Sequence, residues 1–358
     1  MKKCSCCILP ETMPFIEFDN DGVCNYCHSY KKMTFKPLEE LFSIADRIRK
    51  TDGSPDCIVM FSGGRDSSYL LHYVVKELKL HPIAFTYDWG MSTPIGSANA
   101  QRMCDQLQVE RVIVDKDAEK KLNNVRKNVN AWCKKPELGM VPLFMAGDKQ
   151  FFLEVNKLAK ERNINTIFIG TNPLEKTDFK TGFCGVSPNF GANRIYSLTL
   201  TKKLRLIGYY LWQFIRNPAY INSSLFDTAK AFFSFYGAKQ EEVDIYKYIK
   251  WDEKIITDLL INQYGWERDP ECQTTWRIGD GTAAFYNYIY YSTVGFTEND
   301  TLRSNQIREG AISREDALEM VKNDNIPRFQ SMDWYFKRIG VDKEKVLAAV
   351  NRLTKTEK

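Results

Sequence analysis

CIVMFSGGRDSSYLLHYVV, running from Cys57 to Val75, joins an apolar strand to a helix through Ser62-Gly63-Gly64-Arg65-Asp66-Ser67. Residues 58–61 are apolar, as a parallel strand buried on both faces requires, and residues 67–75 have the spacing of a helix packed on a sheet. The two glycines let the backbone approach an anion closely, successive N–H groups converge in the turn, and the helix start adds partial positive charge. Hydroxyls of Ser62, Ser67 and Ser68 supply further donors. The junction reads as a pyrophosphate cradle; a Gly-Gly turn without a ligand is the competing reading.

Further strands are expected over residues 81–87, 111–114 and 166–169, each preceded by an amphipathic helical stretch, and a helix over 37–50 leads into the first strand. Strands alternating with helices define an α/β, doubly wound parallel sheet. Ligands on such sheets sit at the carboxyl ends of strands. That rule selects Thr86, Tyr87 and Asp88 after the second strand, Asp115 after the third, and Gly170, Thr171 and Asn172 after the fourth. Beyond Leu200 the pattern turns to helices rich in aromatics, among them Tyr209, Tyr210, Trp212, Phe214, Phe232, Phe233, Phe235 and Tyr246, which the spacing assigns to the core. Two closing helices are expected over 312–321 and 343–353, with Ser313 and Asp316 capping the first.

The N-terminus carries Cys4-x-x-Cys7 and Cys24-x-x-Cys27 around a hairpin at Asn20-Asp21-Gly22. Two such knuckles give four soft ligands for a tetrahedral, structural zinc ion, with Cys6 and His28 as alternative ligands. The expected organisation is a zinc-ribbon module over 1–35, a nucleotide domain over 36–200 and a helical substrate or partner domain over 201–358. A formal charge of +5 from 50 basic and 45 acidic residues is too mild for a dedicated nucleic-acid binder. No signal peptide or spanning segment is evident, so a cytoplasmic address and no membrane partner are expected.

The turn matches SGGxDS, the signature of the PP-loop ATP pyrophosphatases, and lacks the Gly-Lys-Ser/Thr ending of a Walker loop. Together with the N-terminal CxxC-x-LP-x-T-x-P-x-I-x-FD-x-x-GVCNYC, with Trp276-Arg277-Ile278-Gly279-Asp280-Gly281 and with Ser304-Asn305-x-Ile307-Arg308-x-Gly310, most of the chain resembles the N-acetyl sugar amidotransferases. These serve bacterial lipopolysaccharide O-antigen and pseudaminic or legionaminic acid pathways. The resemblance implies a HUP-like adenine nucleotide alpha hydrolase fold and a reaction in which ATP adenylates the acetamido oxygen of an N-acetyl sugar. Ammonia then displaces AMP to leave an acetamidino group. The implied cofactors are ATP, Mg2+ and structural Zn2+.

The pyrophosphate is expected on the amides of Gly63, Gly64 and Arg65 and the Ser62 and Ser67 hydroxyls. Asp66 is a candidate magnesium ligand or loop-orienting carboxylate. Asp178 is a candidate second magnesium ligand or a plain loop aspartate. Arg277, Asp280, Arg303 and Arg308 look like residues of site loops, with surface salt bridges as the competing account, and Lys176 and Lys180 meet either phosphate or solvent. Asp66, Arg277 and Asp280 are the candidates for catalysis.

Only His28, His72 and His81 are available to a glutaminase-type cysteine, and none is evidently paired with one. Ammonia is therefore expected from free ammonium or a separate glutaminase, by resemblance one similar to the paired glutaminase and cyclase subunits of histidine biosynthesis. The rival readings are a tRNA thiolase using Cys133 or Cys184, which the missing three-cysteine cluster signature opposes, and a non-catalytic nucleotide-binding scaffold.

Overall fold

The computed structural model describes residues 1–145, 150–189, 198–227, 229 and 241–356; Phe232, Phe233 and Phe235 lie outside them. Five parallel strands, β1 (Cys57–Met60), β2 (Pro82–Tyr87), β3 (Glu110–Val114), β4 (Thr166–Ile169) and β5 (Glu241–Asp244), lie in the order β3-β2-β1-β4-β5. The order reverses between β1 and β4, the switch point at which open α/β sheets bind ligands.

Side-chain alternation on the strands builds two apolar layers. Cys57, Val59, Ala84 and Phe168 face helices α1 (Leu38–Ile48), α2 (Arg65–His72) and α3 (Pro94–Leu107). Ile58, Ile83, Phe85 and Ile167 face Val155, Leu158 and Ala159 of a helix on the other side. That helix is α5 (Phe151–Glu161), preceded by α4 (Ala118–Lys134). The sequence reading missed β5: its residues EEVD carry no apolar run, because it is an edge strand with two exposed glutamates. β5 also lies beyond the boundary expected near residue 200, so the sheet draws on the segment assigned to the C-terminal region.

The remaining elements are helical: α6 (Leu200–Arg216), α7 (Glu253–Tyr264), α8 (Ala283–Val294), α9 (Glu298–Glu309), α10 (Arg314–Asp324), α11 (Phe329–Ile339) and α12 (Lys343–Thr356). Local chemistry sets their ends. Thr93 accepts from Gly96 N ahead of Pro94 at the start of α3; Thr297 and Asp300 form a capping box on α9; Ser313 caps α10 through Asp316 N, as expected. Leu9, Met13 and Tyr26 of the N-terminal module share one core with Phe285, Tyr290 and Phe296 around α8. Among the described residues no helix is long and apolar enough to cross a membrane.

Candidate active site and metal centre

The Ser62–Ser67 turn is locked by close backbone approach. Gly63 has φ +75°, and a Cβ there would lie 2.1 Å from Gly96 O; a Cβ on Gly96 would lie 2.7 Å from the Gly279 Cα. Three glycines distant in sequence thus clamp the turn between α3 and the Trp276–Gly281 segment. Ser62 and Ser67 face each other at 3.0 Å, and Ser67 Oγ accepts from Ser62 N at 3.2 Å. The start of α2 has no side-chain cap, leaving amide hydrogens for an anion.

This turn forms one wall of a cleft of about 450 Å³ outside the carboxyl ends of β1, β2 and β4, within the size range of small-ligand sites. Ser62, Gly64, Arg65, Asp66, Ser67, Thr86, Tyr87, Gly170, Thr171, Arg277 and Asp280 all line it, as the strand-end rule anticipates. Trp89, Phe151, Phe152 and Trp276 add aromatic faces.

Several expected residues are placed elsewhere. Ser68, on α2, is fully buried and does not line the cleft. Asp88 turns back to accept from Gly90 N at 2.8 Å, and buried Asn172 accepts from Leu174 N at 3.0 Å; neither they nor Asp115 lines the cleft. Asp178 and Lys176 lie on a smaller pocket beside Arg308, Tyr26 and Tyr30, because the turn after β4 carries the chain past the cleft. Arg303 and Arg308 belong to helix α9, which corrects their reading as site-loop residues. The Gly310 that suggested a loop is the C-cap of that helix.

Charge in the cleft is organised by Arg65. Its buried guanidinium grips Asp66 at 2.9 and 3.1 Å, reaches Glu253 at 3.2 Å and Thr275 at 2.9 Å, and stacks over Trp251. Burial opposes its charge, but Asp66, Glu253 and Glu175 outweigh that and raise its pKa. Trp251 Nε1 donates to Asp66 at 2.8 Å, so the aspartate is held in place whatever else it binds. Half-buried Glu253 is in turn paired with Arg303, which also grips Asp324 at 2.9 Å.

Arg277 adopts φ +52°, and its guanidinium lies 3.0 Å from Glu298, 3.9 Å from Asp280 and 4.0 Å from Glu175. Glu298 also pairs with Lys180 and accepts from Tyr286 at 2.8 Å. Lys180 therefore meets a carboxylate beneath the cleft.

Glu175, which the sequence reading missed, lines the cleft 3.6 Å from Arg65. Burial and the Asp66 charge push its pKa up to about 8, against the pull of Arg277 and Arg65. No periodicity or motif marked it; the only signal was its place five residues beyond Gly170. Three carboxylates (Asp66, Glu175, Asp280) and two guanidiniums line the cleft, and both arginines are shared with carboxylates outside it. Excess hard oxygen beside an anion cradle fits magnesium.

The four sulfurs of Cys4, Cys7, Cys24 and Cys27 lie within 4.8 Å of one another, with Cys24–Cys27 at 3.6 Å, Cys7–Cys24 at 3.8 Å and Cys4–Cys27 at 3.9 Å. A tetrahedral zinc with bonds of about 2.3 Å separates its sulfurs by about 3.8 Å, so the set fits the ion. His28 bonds Asp19 at 2.7 Å instead, and Cys6 is outside the cluster. Arg308 donates to Cys27 Sγ at 3.3 Å and Cys7 Sγ at 3.2 Å, offsetting thiolate charge from α9.

Comparison with known proteins agrees with this geometry. Residues 56–184 match the family described as queuosine biosynthesis protein QueC. The chain is 28% identical over 119 residues to an uncharacterized protein of Methanocaldococcus jannaschii, covering 32% of this chain and 43% of that protein. It is 29% identical over 126 residues to 7-cyano-7-deazaguanine synthase of Clostridium botulinum, covering 34% and 56%. The chain thus spans about half the length of these relatives. A solved NH3-dependent NAD synthetase of Campylobacter jejuni aligns with 56% of this chain and 96% of its own at 16% identity, but a TM-score of 0.28 is too low for the pairing to bear on function.

Proposed function

We propose that this protein is an ATP-dependent amidotransferase that converts the acetamido group of an N-acetyl sugar into an acetamidino group, in bacterial surface-polysaccharide or nonulosonate synthesis. The observation that carries the reading is the meeting of the Ser62–Ser67 turn, the Asp66 and Glu175 carboxylates and the Arg277-Asp280 segment around one cleft at the sheet's switch point. The sugar rests on the sequence resemblance, with the cleft's aromatic faces as physical support. The name 7-cyano-7-deazaguanine synthase marks a product bearing a carbon–nitrogen group, which accords with nitrogen chemistry on this scaffold.

An amide oxygen is a poor leaving group, so ammonia cannot displace it directly. In the proposed sequence the acetamido oxygen attacks the α-phosphorus of ATP, the bond to the bridging oxygen breaks, and pyrophosphate leaves. The amide N–H proton is lost and an O-adenylyl imidate remains. Ammonia adds to the imidate carbon, AMP departs with the former amide oxygen, and the amidine forms. The amides of Gly63, Gly64 and Arg65 with the Ser62 and Ser67 hydroxyls hold the pyrophosphate. Asp66 would hold magnesium, which when bound would offset charge on the phosphates. Arg277 faces Asp280 and orients the acceptor, while Glu175 takes the proton that the nitrogen releases.

Cytoplasmic ammonium or a separate glutaminase supplies nitrogen. Among the described residues His28 bonds Asp19 and His72 bonds Tyr264, and neither hydrogen-bonds a thiol. Cys133 and Cys184 do not line the cleft, and burial pushes their thiols up to about 11 and about 12, which disfavours sulfur transfer. Incubation with ATP, ammonium and a panel of N-acetyl sugars tests the proposal. The product is expected to weigh about one dalton less than the sugar, since NH replaces O; nucleotide turnover indifferent to every sugar would reject it.

A further inference from the structure

Among the described residues, helix α6 leaves one face without a partner. Leu200, Leu204, Ile207, Leu211 and Ile215 recur at helical spacing and are 73%, 59%, 54%, 56% and 71% exposed, with Trp212 beside them at 57%. Ile221 and Phe226, just after the helix, are 62% and 79% exposed. The opposite face holds the helix to the body: Tyr209, Tyr210 and Phe214 pack on the core and Arg216 pairs with Glu137 at 2.9 Å. The stripe is thus a fixed feature about 22 Å long, at 1.5 Å per residue.

We propose that this face seats the protein on an anionic membrane surface, with α6 lying in the plane of the interface. Charge selects that occupant. α6 carries Lys202, Lys203, Arg205 and Arg216 and no acid, and residues 179–226 contain no Asp or Glu at all. At the chain's average of 45 acids in 358 residues, such a span would hold about six. A leucine, isoleucine and tryptophan stripe flanked only by cations fits acyl chains below and acidic headgroups around it. A second copy fits poorly, because a twofold contact through the stripe would bring Lys203 and Arg205 of both copies together with no helix acid to offset them. Seventeen residues with four cations do not span a bilayer, so the helix lies on it. The expectation of no membrane partner came from the lack of a spanning segment, which an in-plane helix does not need. The inference stands apart from the proposed reaction.

The test is cosedimentation of the full chain with vesicles of phosphatidylcholine and phosphatidylglycerol, against phosphatidylcholine alone. Binding is expected on the anionic vesicles, weakening with salt, and Trp212, the one exposed tryptophan of seven, should become shielded from acrylamide. Leu204→Ser with Leu211→Ser should weaken binding roughly tenfold or more, and Arg205→Glu roughly fivefold or more, with circular dichroism unchanged. Equal binding to both vesicle types, no binding, or variants that bind like the parent would overturn the proposal. So would a dimer or a protein complex that depends on the stripe in a chain that ignores lipid.

Discussion

At Gly63 the backbone is left-handed and the position a side chain would take lies against Gly96 O. Gly63→Ala should lower stability by about 2 kcal/mol or more and abolish binding of a nonhydrolysable ATP analogue, checked by denaturant titration and calorimetry. An alanine variant that binds the analogue normally would show that the turn is not the cradle. Glu175 offers a pH test. Its pKa is about 8 in the fold and 4.5 in the unfolded chain, so between those values the folded state keeps a proton that the unfolded chain releases. Stability of the ligand-free protein therefore falls as pH rises through that window. Glu175→Gln should gain on the parent progressively up to about pH 8 and match it below 4.5, read as denaturant midpoints. The same variant should lose most amidine formation. The cradle was legible because its chemistry is contiguous in sequence. Glu175 was not, because its character comes from Arg65, Asp66 and Arg277, which only the fold brings beside it.

The elements show the same division. Strands β1, β2 and β4 announced themselves as apolar runs buried on both faces, whereas β5 spends its glutamates on a sheet edge and left no such trace. Helix α9 escaped the reading for the opposite reason. Its residues ENDTLRSNQIRE look like an exposed loop, yet Glu298 through Gln306 are buried, their charges met by Arg277, Lys180, Asp324 and Glu253. Polar composition signalled surface, and paired burial overrode it. The Thr297 cap fixes the start of this helix, and thereby Glu298 beneath Arg277. Thr297→Ala should cost about 1 kcal/mol in thermal or chemical unfolding, with a further loss of activity; a variant stable as the parent would deny the cap its role.

Over the whole molecule, the cysteine cluster, α9 and the cleft are joined through side chains. Arg308 links the Cys7 and Cys27 sulfurs to Asn305, whose amide bonds Leu174 O, next to Glu175. The metal module was readable as two knuckles, but its packing into the C-terminal core was not, since that depends on partners nearly three hundred residues away. Arg308→Leu should lower zinc affinity roughly ten- to a hundredfold in a chelator competition. Unchanged affinity would make the arginine a bystander. The proposed chemistry itself turns on the fate of one oxygen. An N-acetyl sugar labelled with heavy oxygen in its acetamido carbonyl, incubated with ATP and ammonium, should deliver that label to the phosphate of AMP, with pyrophosphate unlabelled. Release of ADP and inorganic phosphate, or AMP free of label beside an amidino product, would contradict adenylation at this cleft.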